Sequence, residues 1–409
     1  MTMKFPKAVI KARMPWTPTD IKPYTPITQP VWPESCDTTF NIDNVSPVVG
    51  MDSTFIRKVI GKTERITVEQ LRTLLEQDAY HETFVPRSKI LDYLLRKEEE
   101  KSKPHLTTDQ FTNKMLVGSS LAILPSIPDE SFQTIVTSTP YWAMRIYKDM
   151  ESDVWADGEC CPYGMEQTPE GFVRHSVEML YNAKHTLKKD GSIFWNVGDT
   201  YNTRTQIRTN AAETLKAMHG GERKGWKDHD VRRYSAGHSY LKDGEQCLIP
   251  YEIAKRASLI GFWVKSIICW GKTHSMPEPQ TSRVSRATEH IIHLTVQRTP
   301  TLYKDFYLEA SPEIGGKEPW ETDKLSDSWL LSPASGRGGH GAQFPLNLPG
   351  RCIGLSSQKG DLILDPFMGS GTSAVAAIQL GRNWTGIDLS PTYAKETEES
   401  IRRASEQLF

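Results

Sequence analysis

Asp365, Gly369, Gly371 and Asp388 stand at spacings that could hold a nucleoside-like ligand. Two glycines one residue apart let the backbone turn tightly and come close to a bound molecule. An acid at the end of the following strand is where a doubly wound sheet places the carboxylate that holds ribose hydroxyls. The elements that must position these residues are legible around them. Asp361-Leu-Ile-Leu364 reads as a buried strand, Thr372 to Leu380 as a helix stopped by Gly381, and Trp384-Thr-Gly-Ile-Asp388 as the next strand. The unit is strand, glycine turn, helix, strand, acid.

Two ligands fit such a unit, a dinucleotide or S-adenosylmethionine. A dinucleotide site needs G-x-G-x-x-G with the helix N-terminus facing a pyrophosphate, and here Gly369-x-Gly371 has no third glycine at the required offset. Asp365 would repel a pyrophosphate but could receive the ammonium of a methionine moiety, which favours the second ligand. A purely structural tight connection is the alternative reading of so short a glycine pattern.

Ser131 to Ser138 reads as another buried strand, and it runs into Thr139-Pro140-Tyr141-Trp142. Ser138-Thr-Pro-Tyr141 resembles the S-P-P-Y or D-P-P-Y active-site motif of DNA methyltransferases that modify exocyclic amino groups, and Asp365-Pro-Phe-Met-Gly-Ser-Gly-Thr372 resembles their cofactor motif. Further stretches follow in the family's order: Gly191 to Tyr201, Ser275 to Glu278, Glu289 to Thr295, and His340 to Pro345. The resemblance covers roughly residues 110 to 409. The catalytic motif precedes the cofactor motif, as in the permuted beta class. The implied fold is α/β: a Rossmann-like methyltransferase sheet, mostly parallel with an antiparallel edge hairpin and helices on both faces. The implied cofactor is S-adenosylmethionine, held by Asp365, Pro366, Phe367, Gly369, Gly371, Thr372 and Asp388, with Phe344 and Pro345 packing beside it. The implied catalytic residues are Ser138, Thr139, Pro140 and Tyr141. No metal is implied.

The chemistry explains these residue types. An exocyclic amine of cytosine or adenine is a poor nucleophile because its lone pair is delocalised into the ring. Ser138 Oγ and the Thr139 carbonyl would accept its two hydrogens, and both acceptors gain strength as nitrogen becomes positive. Alignment with the methyl donor draws mostly on orientation, worth about 7–11 kcal/mol. The target atom is inaccessible inside a duplex, so the base must be rotated out at a cost of a few kcal/mol, and stacking on Tyr141 returns about 1–3 kcal/mol. Trp142 is either a second ring in this pocket or a core residue. Thr139 departs from the family's usual proline; a main-chain carbonyl survives that change, while the loss of a fixed φ is expected to loosen the loop. Gly118-Ser-Ser120 also stands where the family often carries Gly-Asp. Serine at the first motif position leans toward cytosine N4 over adenine N6.

The net charge of -1 over 409 residues decides nothing about DNA, but its distribution is informative. Residues 202 to 242 hold nine Lys or Arg against four acids. Among them Arg204, Arg208, Arg223, Lys224, Arg232 and Arg233, interleaved with aromatic rings and without regular periodicity, suit a loop that orders on a phosphate backbone. A solvated insertion is the plainer alternative. Base recognition is expected within residues 143–168, 202–245 or 309–340, the last with Arg337 in a glycine-rich turn. Six cysteines show neither metal spacing nor a disulfide framework. No run approaches the roughly 20 apolar residues of a membrane span, so a cytoplasmic enzyme of bacterial, archaeal or phage origin is expected.

Supporting elements are expected as a helix from Pro169 to Lys188, a helix from Pro250 to Gly261, a strand over Trp263–Trp270, and a hairpin of Glu289–Gln297 with Thr301–Tyr307. Asp199 serves either the active-site loop or a cap or turn. Residues 1–50, with seven prolines between Pro6 and Pro33, read as an extended arm, and 51–108 as a small helical region with a capping box at Thr67 and Gln70. The catalytic domain is expected over 109–409. Taken together, the sequence points to a sequence-specific methyltransferase acting on double-stranded DNA, a monomer or homodimer paired with a restriction endonuclease. Cytosine N4 is the favoured target, with adenine N6, a structured RNA, or a catalytically silent nucleic-acid-binding module as the other readings.

Overall fold

The computed structural model describes residues 37–99, 104–142, 150–202, 241, 242, 244–273, 281–332 and 344–406. Twelve strands are found among them. In chain order they are β1 (Thr39–Asn41), β2 (Arg65–Thr67), β3 (Lys114–Val117), β4 (Phe132–Ser138), β5 (Asp153–Val154), β6 (Cys160–Cys161), β7 (Leu187–Val197), β8 (Trp263–Lys272), β9 (Thr288–Thr295), β10 (Ser328–Leu331), β11 (Leu362–Asp365) and β12 (Asn383–Asp388).

Eight of these form one sheet in the order β10-β8-β9-β7-β4-β11-β12-β3, in which only β9 runs antiparallel to its neighbours. Alternation along the central strands sends side chains to opposite faces. Ile135, Ile193 and Trp195 join a core with the helices Pro169–Lys184 and Ile249–Leu259. Val136, Phe194 and Ile363 join a second core with Asn347–Ser356 and Thr372–Gln379. The central strands are apolar on both faces because both faces are covered.

Three sequence expectations change. The hairpin is formed by β8 and β9, with Trp270 opposite Glu289, while residues 301–307 make no strand and Asp305–Glu309 is a short helix. The helix starting at Pro169 ends at Lys184, and Leu187, which continues the helical apolar spacing, is the first inward residue of β7. Gly191 lies within that strand, where a Cβ would stand 2.7 Å from the Gln133 carbonyl oxygen. The arm drawn over residues 1–50 overlaps folded chain, since β1 and the helix Ile42–Val49 bury Phe40, Ile42 and Val45 completely. The prolines that suggested an arm lie outside the described residues.

The expected capping box at Thr67 and Gln70 is present. The helical region docks onto the helices Pro169–Lys184 and Ile249–Leu259, with Phe84 stacked on Tyr181 at 5.0 Å and Arg256 donating to the Thr83 carbonyl at 2.8 Å. Arg174 and Arg256 both reach Glu82 and Glu170. No helix among the described residues is long and apolar enough to cross a membrane.

The hairpin of β5 and β6 is bolted to the helix Pro169–Lys184 by a buried charge cluster. His175 has no exposed side-chain surface, and its Nδ1 and Nε2 lie 3.2 Å from Glu166 and Asp157, with the Trp155 ring stacked on it at 4.1 Å. Burial alone would lower the imidazole's pKa, but the hydrogen bonds and charges of Asp157 and Glu166 push it up to about 9. The described residues also bring Glu159, Cys161 and His175 within 4.8 Å of one another, a grouping the cysteine spacing did not suggest, although both ring nitrogens already face carboxylates. A group whose folded pKa is raised stabilises fully below its unfolded value, near 6.5, and that stabilisation is lost as pH rises toward 9. Thermal unfolding of the wild type is therefore expected to lose about 3 kcal/mol of stability from this group between those limits, and His175→Gln is expected to lack that loss. An identical pH dependence in both proteins would remove His175 from the account.

Candidate active site

β4 and β11 are parallel neighbours, so Ser138 and Asp365 reach the same carboxyl edge of the sheet, where open α/β sheets bind ligands. Ser138 is paired with Asn196 at the end of β7. Asn196 Nδ2 lies 3.2 Å from Ser138 Oγ, 2.8 Å from the Tyr141 hydroxyl and 3.0 Å from Glu289. The Tyr141 hydroxyl also donates to Glu289, and Lys272 pairs with that carboxylate from the other side. Tyr141 is thereby pinned at its hydroxyl end.

The Tyr141 ring lies on Gly198, where an added Cβ would stand 2.6 Å from a ring carbon. Gly198→Ala is expected to tilt the ring and lower kcat at least tenfold while leaving cofactor affinity unchanged, since small misplacements at a reacting centre are costly. Steady-state kinetics with cofactor titration checks this; unchanged kcat would mean that the ring's position does not matter.

The departure at Thr139 has an outcome different from a loosened loop. Its N–H, which proline lacks, donates to the Asn196 carbonyl at 3.2 Å, so a hydrogen bond replaces the fixed φ. Pro140 follows at the strand end. Trp142 is a core residue, 2 % exposed, with its indole N–H on the Glu166 carbonyl at 3.0 Å. Asp199 is a cap: its carboxylate accepts the backbone N–H groups of Thr200, Leu248 and Ile249 and the Gln246 amide. It thus fixes the start of the helix Ile249–Leu259 beside the catalytic edge.

At the cofactor end, Gly369 and Gly371 have φ of 58° and 90°, in the left-handed region that favours glycine. A Cβ on Gly369 would meet nothing within 4 Å, so the turn presents an open cradle, and Thr372 begins the helix behind it. Asp388 spans its rim, accepting the Gly369 N–H and the Ser390 N–H, each at 2.9 Å. Burial raises the pKa of its carboxyl, against those two hydrogen bonds.

Asp365 ends β11, directly before the glycine turn. It is 1 % exposed, accepts the Phe367 N–H at 3.0 Å and the Ser373 hydroxyl at 2.5 Å, and is pushed by burial up to about 6. Its work is to hold the turn. Pro366 is tied to the other side by Ser120, whose hydroxyl donates to the Pro366 carbonyl at 2.5 Å, while Ser119 donates to Asp153 at 2.8 Å. Phe367 stacks on Tyr163 at 5.0 Å and meets Trp195 edge-on at 5.9 Å. Phe344 is buried in the same apolar cluster as Met368, and the Pro345 carbonyl accepts the Leu348 N–H at 3.1 Å at the start of the next helix.

Arg204, Arg208, Arg223, Lys224, Arg232, Arg233 and Arg337 lie outside the described residues, as do Ser275–Glu278 and residues 143–149. At the described base of the basic segment, Tyr201 pairs with Gln246 and carries the Arg283 guanidinium 3.6 Å from its ring centre. Arg286 donates to the Asp199 carbonyl. Asn196, Glu289, Lys272 and Arg283 were not singled out from sequence. Asn196 could have been: it is an amide ending an otherwise apolar run, Ile193-Phe-Trp195, one strand from Ser138. Glu289 and Lys272 carry no such local signal.

An open, mostly parallel sheet with a serine-tyrosine pocket and a glycine cradle on one edge defines an α/β methyltransferase. Residues 132–399 match the family model for N6/N4 DNA methylases. The chain is 30% identical over 282 residues to the Type II methyltransferase M.Cfr9I of Citrobacter freundii, covering 68% of this chain and 83% of that protein. It is 27% identical over 297 residues to M.SmaI of Serratia marcescens, covering 71% and 91%. Among solved structures it is similar to the PvuII DNA methyltransferase (cytosine-N4-specific), with 18% identity, a TM-score of 0.49, and coverage of 76% of this chain and 95% of that one. The chain belongs to the N6/N4 DNA methylase family and is a DNA methyltransferase dependent on S-adenosylmethionine.

Proposed function

We propose that this chain methylates cytosine N4 within a short specific sequence of double-stranded DNA. The observation that carries this reading is the serine at the first position of the active-site motif, placed on the same sheet edge as the glycine cradle. The cradle's residues fit S-adenosylmethionine: backbone open at Gly369, a carboxylate at Asp388, and no third glycine for a pyrophosphate. When bound, the cofactor supplies an electrophilic methyl group on a sulfonium.

The chain's own residues do the rest. A serine hydroxyl has two acceptor lone pairs, and Asn196 Nδ2, whose two hydrogens also serve Tyr141 and Glu289, shares one at Ser138. The other receives an amine hydrogen, and that bond strengthens as the nitrogen becomes positive. Tyr141, pinned at its hydroxyl and backed by Gly198, holds the flipped base by stacking. Asp365 and Ser373 fix the turn that carries the cradle.

Arg204, Arg208, Arg223, Lys224, Arg232, Arg233 and Arg337, together with Arg283 on Tyr201, are the proposed DNA contacts, and phosphate binding predicts strong salt dependence. Two relatives carry Type II methyltransferase names, which supports a partnership with an endonuclease in a bacterial cytoplasm, the enzyme acting as monomer or homodimer. The test is to incubate the protein with labelled S-adenosylmethionine and unmethylated DNA of mixed sequence, digest to nucleosides and identify the labelled species by mass. N4-methylcytosine is expected. N6-methyladenine would transfer the same pocket to the other base, and no label would overturn the reading.

A further inference from the structure

Glu289 and Lys272 form a largely buried ion pair at the edge of the serine pocket, with side-chain exposures of 13% and 25%, and nothing in the reaction as described above uses it. Because β9 is antiparallel, its first residues arrive where β7 ends, with His290 opposite Val197 and Ile291 opposite Asn196. β8 ends at the same place, with Gly271 opposite Thr288, and this brings Lys272 to the Glu289 carboxylate. Burying such a pair rarely stabilises a fold more than apolar packing of equal volume would. Its position against Ser138, Tyr141 and Asn196 gives it another use.

We propose that Glu289, charge-compensated by Lys272, is a positioning residue for methyl transfer: it sets the direction of the hydrogen bonds around Ser138 so that the serine keeps a lone pair for the substrate amine. This rests on the reading of Ser138 given under Proposed function.

An ionised carboxylate only accepts hydrogen bonds. Glu289 Oε2 faces both the Tyr141 hydroxyl and Asn196 Nδ2, so both must donate to it. For Asn196 this fixes the amide orientation, because the reverse orientation would press Oδ1 against the carboxylate. The NH2 group is therefore the side that faces Ser138 Oγ at 3.2 Å. For Tyr141, giving its proton to Glu289 leaves the phenolic oxygen as an acceptor toward Ser138, 3.4 Å away. The two hydrogens of Asn196 Nδ2 serve three acceptors, Tyr141 at 2.8 Å, Glu289 at 3.0 Å and Ser138 Oγ at 3.2 Å, so one of them is shared with the serine; the serine's own proton then points to Tyr141, and a lone pair is left for the amine. A carboxylate at the end of the chain polarises every donor before it in the same direction. With a neutral amide in place of Glu289, both orientations of Asn196 and both directions of the tyrosine–serine bond become accessible, and where Asn196 and Tyr141 both donate to Ser138 the serine's own hydrogen is turned toward the substrate amine.

The test is Glu289→Gln in the full-length protein, assayed with tritiated S-adenosylmethionine and unmethylated DNA of mixed sequence. The expected result is a ten- to hundredfold fall in kcat, with KM for DNA and the calorimetric Kd for S-adenosylmethionine within twofold of wild type. Because Glu289 acts in large part through Asn196, Glu289→Gln added to Asn196→Ala is expected to cost much less than it does alone. Fully additive losses, or an E289Q kcat within twofold of wild type, would overturn the proposal. Should E289Q not fold, Glu289→Asp keeps the charge but withdraws it by one methylene, and the same loss confined to kcat is expected; wild-type turnover in E289D would sink the idea. The underlying reading fails separately: if the wild type labels no base in DNA the pocket is misread, whereas equal labelling by wild type and E289Q removes only the role of Glu289.

Discussion

Ser138→Ala is expected to lower kcat by about 10²–10³-fold, the range found when one preorganised group that stabilises transition-state charge is removed, while the affinity for S-adenosylmethionine stays within twofold. The split follows from geometry. Ser138 Oγ sits with Asn196 and Tyr141, whereas the cradle is shaped by Asp388, Asp365, Ser373 and Thr397, none of which bonds to the serine. The hydroxyl's contribution grows as the amine becomes cationic, so its loss falls on kcat more than on substrate binding. Truncation also leaves Asn196 its bonds to Tyr141 and Glu289, so no buried donor is orphaned and the fold should tolerate the change. Single-turnover methyl transfer beside calorimetric cofactor titration measures both quantities. A variant with wild-type turnover would show that the amine finds its acceptor elsewhere.

Asp388→Ala is expected to weaken S-adenosylmethionine binding about 100-fold, near 3 kcal/mol, with a smaller change in kcat at saturating cofactor. Hydrogen bonds to a charged group contribute about 1.5–3 kcal/mol each, and Asp388 accepts two from the backbone before any from a ribose. Removing the carboxylate frees the Gly369 N–H, so the cradle loses its shape as well as its polar contact. Asp388→Asn keeps an acceptor and should fall between the two proteins. Calorimetry decides it: D388A binding within threefold of wild type would mean that the carboxylate neither shapes the cradle nor meets the ligand.

These two residues were legible in the sequence because each belongs to a motif whose chemistry is local. Gly369 and Gly371 must adopt positive φ whatever surrounds them, and both do. The stretch that ends at Ser138 has to be a covered strand, and six of its seven residues are buried. Misreadings arose where local pattern competes with distant partners. Leu187 fits a helical period as well as it fits the first position of β7. Asp365 ends its strand at the ligand edge, which suggests a ligand contact, and only the fold adds the bond from Ser373, eight residues on, that ties its carboxylate to the turn.

The sequence by itself determined the α/β class, the permuted order of the two motifs, the glycine cradle and the serine pocket, since each depends on residue type and short-range spacing. Only the tertiary structure decided which strand lies beside β7. Residues 289–297 and 301–307 look like a hairpin at close range, but β9 pairs with β7 on one side and β8 on the other, in a register set by packing of Phe194, Ile268 and Ile291 in one core. That pairing alone carries Glu289 and Lys272 to Ser138 from 151 and 134 positions away in the chain. No spacing rule reaches so far, because contacts across a sheet are selected by the burial of whole faces and not by the residues they happen to bring together.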